Sequence, residues 1–259
     1  MISRSHMLLI GDGMVGKATR FALEIENYTS QPADKYSEDL DYYKYFMLCV
    51  PTPTTNGKQD LSAIESWLKK INDRSKSAPE SVVIIRSTIL PGTTVKLADE
   101  YKLTIAHIPE FLSEATVIED EKNPEFVVIG CQDILVREDL RYFFKVKLEL
   151  EDNRIFTCDP TTAELIKYAM NSFFALKVIY GNQIWEVAKE SGANYDLVKK
   201  ALEMHKWGSV NGWDVWHGGY RGYSKKCLPK DLYAFTSKFK LPLLDKVREI
   251  NKKLISETI

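Results

Sequence analysis

Three glycines constrain this chain more than any other feature. The stretch "MLLIGDGMVG", Met7 to Gly16, sets Gly11, Gly13 and Gly16 between a short apolar run and the helical pattern "MVGKATRFALEIE". In such a strand–turn–helix unit the first glycine permits a tight turn. The second lets backbone approach a diphosphate, and the third lets the helix pack on the strand. The first N–H groups of the helix, with the positive end of its dipole, then face the phosphates. The spacing predicts a dinucleotide site at Gly11, Gly13, Met14, Val15 and Gly16, with a purely structural turn as the competing reading.

The same alternation continues along the chain. "KYFMLCV", followed by the turn "PTPTTNGKQD", then "SVVIIRST", "LTIAHI" and "EFVVIG" read as buried strands, with helices at Ser62 to Asp73 and in "TTVKLADEY". Short apolar strands separated by helices predict a parallel sheet covered on both faces. The ends of such strands face the ligand crevice, which assigns Pro51 and Thr52 to the cofactor. After Cys158 and Pro160 the periodicity changes. Thr161 to Glu190 predicts one long helix, with Thr161 or Thr162 as its cap and Gly192 as its stop. Tyr195 to Met204, Asp231 to Lys238 and Leu243 to Thr258 read as shorter helices, and Lys206 to Lys226 as a loop rich in Gly and Trp. The expected class is α/β: a Rossmann-like domain over residues 1–157, then an all-helical central domain with a long helix over residues 158–259.

Bulk properties narrow the functions. The net charge of -1 gives no global field toward nucleic acid or a membrane. No apolar run approaches the roughly 20 residues of a membrane helix. Cys49, Cys131, Cys158 and Cys227 are scattered without Cys/His ligand spacing, so neither a metal site nor a disulfide scaffold is expected. A reducing cytoplasm is the expected compartment. For the ribose of the dinucleotide the reading selects Asp34, with Gln31 as the alternative. No arginine follows closely to hold a 2′-phosphate, which favours NAD over NADP.

Six stretches in order carry a more specific signal: the glycine turn, "CVPTPT" (Cys49 to Thr54), "RSTILPGTT" (Arg86 to Thr94), "PEFLSEAT" (Pro109 to Thr116), "ELIKYAMNSFFALKVIYGNQ" (Glu164 to Gln183) and "CLPKD" (Cys227 to Asp231). Together they resemble the UDP-glucose/GDP-mannose dehydrogenase family of nucleotide-sugar 6-dehydrogenases. The resemblance implies an NAD-dependent, four-electron oxidation of a sugar C6 alcohol to a carboxylate, for example UDP-glucose to UDP-glucuronate. It implies a nucleotide-sugar substrate, no nucleic-acid or membrane partner, and a homodimer formed through the central domain. The chemistry suits the residues: a thiolate traps the aldehyde, and a second hydride loss gives a thioester.

The match of "CLPKD" to the family makes Cys227 the expected nucleophile, and nearby lysines with a helix start marked by Pro229 favour its thiolate. A structural thiol in a basic loop is the alternative. Lys167 and Asn171 share a helix face. The resemblance gives them oxyanion stabilisation, with proton shuttling also for Lys167. It gives Glu110 water activation, and substrate contact together with Phe111 and Leu112. Glu114 is placed near nicotinamide and substrate, Thr88 near water or cofactor, and Asp231 in support of the water or the base. Arg221 and Lys226 are expected to meet substrate phosphates. Two departures stand out. The family usually carries a third, nucleotide-gripping domain, and the chain is expected to be a short form without it. The family's Gly-Phe-Gly-Gly loop before the cysteine reads Gly222-Tyr223-Ser224-Lys225-Lys226 here. Two other functions stay open: a two-electron hydroxy-acid or sugar dehydrogenase, and a catalytically silent nucleotide-binding module.

Overall fold

Strand β1 (Met7–Ile10) is buried at every position, because both faces of its sheet are covered. In the computed structural model, which describes residues 6–75, 80–205, 208, 214–217, 219–224 and 227–258, Met7 and Leu9 join one apolar cluster with Leu23, Leu140 and Phe144. Leu8 and Ile10 join another with Trp67, Leu68 and Leu97. Alternate side chains of one strand thus feed two cores. Burying each large apolar side chain contributes about 1.5–3 kcal/mol.

The sheet has seven strands in the order β2-β1-β3-β6-β7-β8-β9. These are β2 (Tyr28–Thr29), β3 (Tyr45–Leu48), β6 (Val82–Ile85), β7 (Thr104–His107), β8 (Val127–Cys131) and β9 (Ile155–Cys158). The small ribbon β4 (Thr54–Thr55) with β5 (Lys58–Gln59) stands apart from it. Helices α1 (Met14–Leu23), α2 (Ser62–Ser75), α3 (Thr93–Tyr101), α4 (Val117–Lys122) and α5 (Ile134–Lys147) connect the strands.

Two expectations need correction. The sheet is not wholly parallel: β8 runs antiparallel to β7, while β9 is again parallel to β8. The link from β7 to β8 holds only the six-residue α4. The residues between them, Ile108 to Phe126, form the Glu110 loop and α4, which packs beside α1, and the chain re-enters the sheet from the same end. The strand after α1 is also not "KYFMLCV" but the two-residue β2, which precedes it at the sheet edge.

Backbone pairing aligns one row across six strands: Ile10 with Leu48, Leu48 with Ile85, Ile85 with His107, His107 with Gly130, and Gly130 with Cys158. The row ends where α6 (Pro160–Ser191) begins. Asp159, not Thr161 or Thr162, caps this helix: its carboxylate accepts from Thr162 N at 3.0 Å and from the Thr162 hydroxyl at 2.5 Å. Gly192, at φ 74°, follows its end, as expected of a stop.

The chain forms two compact units, Met1–Pro53 with Gln59–Lys167, and Thr54–Lys58 with Tyr168–Ile259. The second unit is helical, built from the rest of α6 with α7 (Tyr195–Met204), α8 (Cys227–Lys238) and α9 (Pro242–Ser256). Its core joins Val178, Ile179, Tyr223, Leu232, Val247 and Leu254. Helix α8 starts four residues earlier than the periodicity predicts, at Cys227 itself.

Candidate active site

The glycine turn is built as the spacing predicts. Gly11 has φ 103°, and a Cβ there would overlap the carbonyl of Cys49. A Cβ on Gly16 would overlap the carbonyl of Gly11, so helix and turn touch backbone to backbone. Gly13 is the N-cap of α1 in extended conformation and offers no side-chain acceptor. Nothing lies within 4 Å of where its Cβ would stand. Uncapped N–H groups at a helix start beneath open space fit the diphosphate of a dinucleotide. The residues that would hold it are Gly11, Gly13, Met14, Val15 and Gly16. Asp12, inside the turn, is 3.6 Å from the Arg20 guanidinium. Arg20 in turn stacks on Tyr28 with 3.9 Å to the ring centroid.

Both ribose candidates follow β2. Gln31 stands two residues past it, its N–H bonded to the Thr29 hydroxyl at 3.1 Å. Asp34 lies further on in a turn, exposed and 3.7 Å from Lys35.

The loops after β3 and β6 are tied together. The Thr52 hydroxyl and the Gln59 amide both donate to the Thr88 carbonyl at 2.8 Å. Gln59 also accepts from Leu90 N at 3.2 Å, and the Ser87 hydroxyl donates to the Val50 carbonyl at 2.6 Å. Pro51 and Thr52 thus follow β3, and Thr88 follows β6, at the ends of two neighbouring parallel strands. Gln59 was not singled out in the sequence, where it sits in an ordinary polar turn.

Glu110 and Lys167 meet. The Lys167 ammonium donates to the Glu110 carbonyl at 2.5 Å and to its carboxylate at 3.0 Å. Their side chains are 11% and 6% exposed. Leu112 N donates to the other Glu110 oxygen at 2.9 Å. Burial alone would push the Glu110 carboxyl up. The Lys167 charge, the Leu112 N–H and the Arg86 charge outweigh burial and hold it below the usual carboxylate range. The Phe111 ring lies 5.4 Å from the Lys167 nitrogen and packs on Phe126. Glu114 is exposed on the loop leading to α4.

Beside this pair lie buried groups that the sequence reading missed. Arg86 pairs with Glu121 at 2.7 Å, both about 4% exposed, and Glu121 also accepts from the Thr19 hydroxyl at 3.0 Å. His107 is fully buried beside the Ile85 carbonyl, and neither ring nitrogen makes a well-formed hydrogen bond among the described residues. Burial pushes it down to about 3.

In the helical unit, Cys227 is the first residue of α8, with Pro229 in the first turn. One turn on, Asp231 is 1% exposed, accepting from the Asn171 amide at 2.8 Å and from Lys230 at 2.5 Å. The loop before Cys227 is clasped by Asn251, which accepts from Tyr223 N at 2.8 Å and donates to Tyr223 O at 2.9 Å. Gly222 takes φ 85° under this clasp, where a Cβ would strike the Asn251 side chain. Arg221, expected to meet phosphates, is instead buried. Its guanidinium pairs with Glu186, bonds Asn182 at 3.2 Å and covers the Trp185 ring. Lys226, like Lys225, lies outside the described residues.

The other thiols sit in raised-pKa surroundings. Burial pushes Cys49 up to about 12 and Cys158 up to about 11, and raises Cys131 as well. No group of three metal-ligating side chains gathers among the described residues. Nor is any described helix long and apolar enough to cross a membrane.

Comparison with known proteins agrees with this geometry. Residues 9–146 match the NAD binding domain of the UDP-glucose/GDP-mannose dehydrogenase family, and residues 161–253 match its central domain. A UDP-glucose 6-dehydrogenase of Rickettsia bellii is 29% identical over 218 residues, covering 81% of this chain and 48% of that protein. A GDP-mannose 6-dehydrogenase of Azotobacter vinelandii is 31% identical, covering 73% and 45%. The chain thus spans about half the length of the curated relatives it matches. The fold is that of a UDP-glucose dehydrogenase from Pyrobaculum islandicum, with a TM-score of 0.80 at 22% identity over 98% of this chain and 70% of that one. The chain belongs to the UDP-glucose/GDP-mannose dehydrogenase family, its sheet unit carrying the NAD binding domain and its helical unit the central domain.

Proposed function

We propose that the chain carries the catalytic core of a nucleotide-sugar 6-dehydrogenase, which oxidises a sugar C6 alcohol to the carboxylate in two steps. The observation that carries this reading is Cys227 at the first residue of α8, with buried Asp231 one turn behind it and fixed by Asn171. A helix start favours thiolate, and a fixed carboxylate near it can hold a water or a base. NAD bound over the glycine turn supplies the hydride acceptor for each oxidation.

The residues divide the remaining work. A water held by the Asp231 carboxylate takes the alcohol proton, while the Lys167 ammonium and the Asn171 amide stabilise the developing oxyanion. The Cys227 thiolate adds to the aldehyde carbon, and the oxyanion takes a proton from the Lys167 ammonium to give a thiohemiacetal. Its hydride then leaves to the acceptor and its hydroxyl proton returns to the Lys167 amine, giving a thioester. Water attacks that carbonyl, the Cys227 sulfur departs, and the carboxylate product is released. Glu110, kept ionised, receives the proton of that water. Thr88, with its carbonyl pinned by Thr52 and Gln59, orients water or cofactor. Glu114 serves nearby, and the backbone of Glu110, Phe111 and Leu112 contacts the sugar. Asp34 or Gln31 takes the ribose, and Pro51 and Thr52 flank the cofactor. Substrate phosphates fall to Lys226 rather than Arg221, whose guanidinium Glu186 and Asn182 occupy. We take residues 1–157 and 158–259 as the functional domains. Exposed Phe173, Tyr180 and Val187 on α6 support a homodimer, and the proposed compartment is the cytoplasm.

A panel of UDP- and GDP-sugars with NAD tests the reading by counting NADH per sugar consumed. Two NADH are expected, and Cys227→Ser lowers the second oxidation by at least about a thousandfold. One NADH per sugar, unchanged in Cys227→Ser, makes the protein a two-electron dehydrogenase instead.

A further inference from the structure

Glu164 has no place in the chemistry above, yet it is one of the most heavily bonded carboxylates in the sheet unit. It is fully buried in the second turn of α6. One oxygen accepts from Gly92 N at 2.5 Å. The other accepts from Thr94 N and from the Thr94 hydroxyl, both at 2.6 Å. These donors open α3, whose N-cap Gly92 provides no side-chain acceptor of its own. Glu164 therefore caps a helix seventy residues away in sequence. The turn it grips follows β6 and Thr88.

Lys167 stands three residues beyond Glu164, on a neighbouring part of the same helix surface. Two-oxygen attachment at Glu164 fixes the rotation of this turn about the helix axis. Its distance from the sheet is fixed separately. Gly130 leaves room for Pro160 and Ala163, since a Cβ at Gly130 would overlap the Ala163 methyl. With rotation and distance both set, the long Lys167 side chain has one way to reach Glu110.

We propose that Glu164 is a positioning residue for Lys167: it locks the opening of α6 to the Gly92–Thr94 turn and thereby aims the Lys167 ammonium at Glu110. The chemical use of Lys167 rests on the function proposed above, but the aiming does not, and its test needs no substrate.

The test is amine-selective labelling of the whole chain, read residue by residue by mass spectrometry. In the wild type Lys167 labels far more slowly than exposed Lys35. Glu164→Gln raises the Lys167 rate at least about tenfold, as expected for losing a charged, multiply bonded acceptor. The rate at Lys177, buried in the helical unit, stays unchanged. Thr94→Val moves Lys167 in the same direction by less, and Thr94→Ser restores it. If Glu164→Gln does not fold, the Thr94 pair decides alone. Unchanged Lys167 protection in the folded variants overturns the proposal. So does a joint rise at Lys167 and Lys177, which marks general loosening. NADH counting, by contrast, judges only the proposed function.

Discussion

The Glu110–Lys167 pair and the loop before Cys227 are both held in place, but by different forces. The pair is nearly dry and ionic, with Arg86 and Glu121 as a second buried charge pair close by. Every charge there has a partner of opposite sign, so removing one strands another. At Tyr223 the loop is held by a neutral clasp, two hydrogen bonds between Asn251 and the Tyr223 backbone, over a left-handed glycine, while the Arg221–Glu186 ion pair anchors it further from Cys227. Neutral bonds contribute less and cost less to lose. The difference teaches that the sheet unit fixes its polar groups by electrostatic compulsion. The helical unit holds Tyr223, next to the point where the sequence departs from the family's glycines, by neutral bonds.

Breaking each side tests the contrast. Lys167→Met leaves the Glu110 carboxylate buried beside no ammonium and is expected to cost about 3–5 kcal/mol, measured by urea unfolding. Acid attacks the same region. His107 is neutral in the fold, with its pKa pushed from 6.5 down to about 3 by burial, and by the Lys167 and Arg86 charges against the Ile85 carbonyl. The unfolded chain binds a proton there first, so its stabilising effect is complete above pH 6.5 and is lost as pH falls toward 3. The slope is at most about 1.4 kcal/mol per pH unit. His107→Leu should flatten urea midpoints between pH 6.5 and 5. Glu110, with a lowered pKa, adds its own loss only further down, below the ordinary carboxylate value of 4.5.

On the other side, Asn251→Ala should cost about 1–3 kcal/mol, because two buried backbone groups of Tyr223 lose their partner. A smaller global loss, with faster hydrogen exchange confined to residues 221–224, would sharpen the contrast with the ionic pair. Tyr223→Phe is the mildest change. The Tyr223 hydroxyl is buried without a partner among the described residues. Removing it is expected to be neutral or to raise stability by under about 1 kcal/mol, read as a melting-temperature shift.

Legibility in the sequence followed the range of the interactions. The glycine turn is local, and so are the four-residue apolar strands, and both could be read directly. The strand β2 has two residues and too little pattern to detect. The reversal at β8 depends on α4 packing beside α1, which no periodicity reports. Helix α8 starts earlier than its apolar pattern because Cys227 and Pro229 open it as polar and turn-like residues. The site divided the same way. Thr52, Thr88, Glu110, Lys167, Asn171, Cys227 and Asp231 stood out through motifs. Gln59, Arg86 and Glu164 did not, since their partners lie 29, 35 and 70 positions away. Arg221 misled because a loop cation looks solvated until its Glu186 partner, 35 positions away, is known.

The row from Ile10 to Cys158 has a consequence for insertions and deletions. Each strand residue advances the chain by about 3.3 Å and turns its side chain to the opposite face. One residue added within β9 would push the start of α6 past Gly130 and expose what had been inward. Glu164 would miss Thr94, and Lys167 would miss Glu110. The same residue added near Glu149 or Glu151, both exposed and before β9, would be absorbed without moving the row. Length variation is therefore tolerated near Glu149 and Glu151 and forbidden from β9 to Lys167.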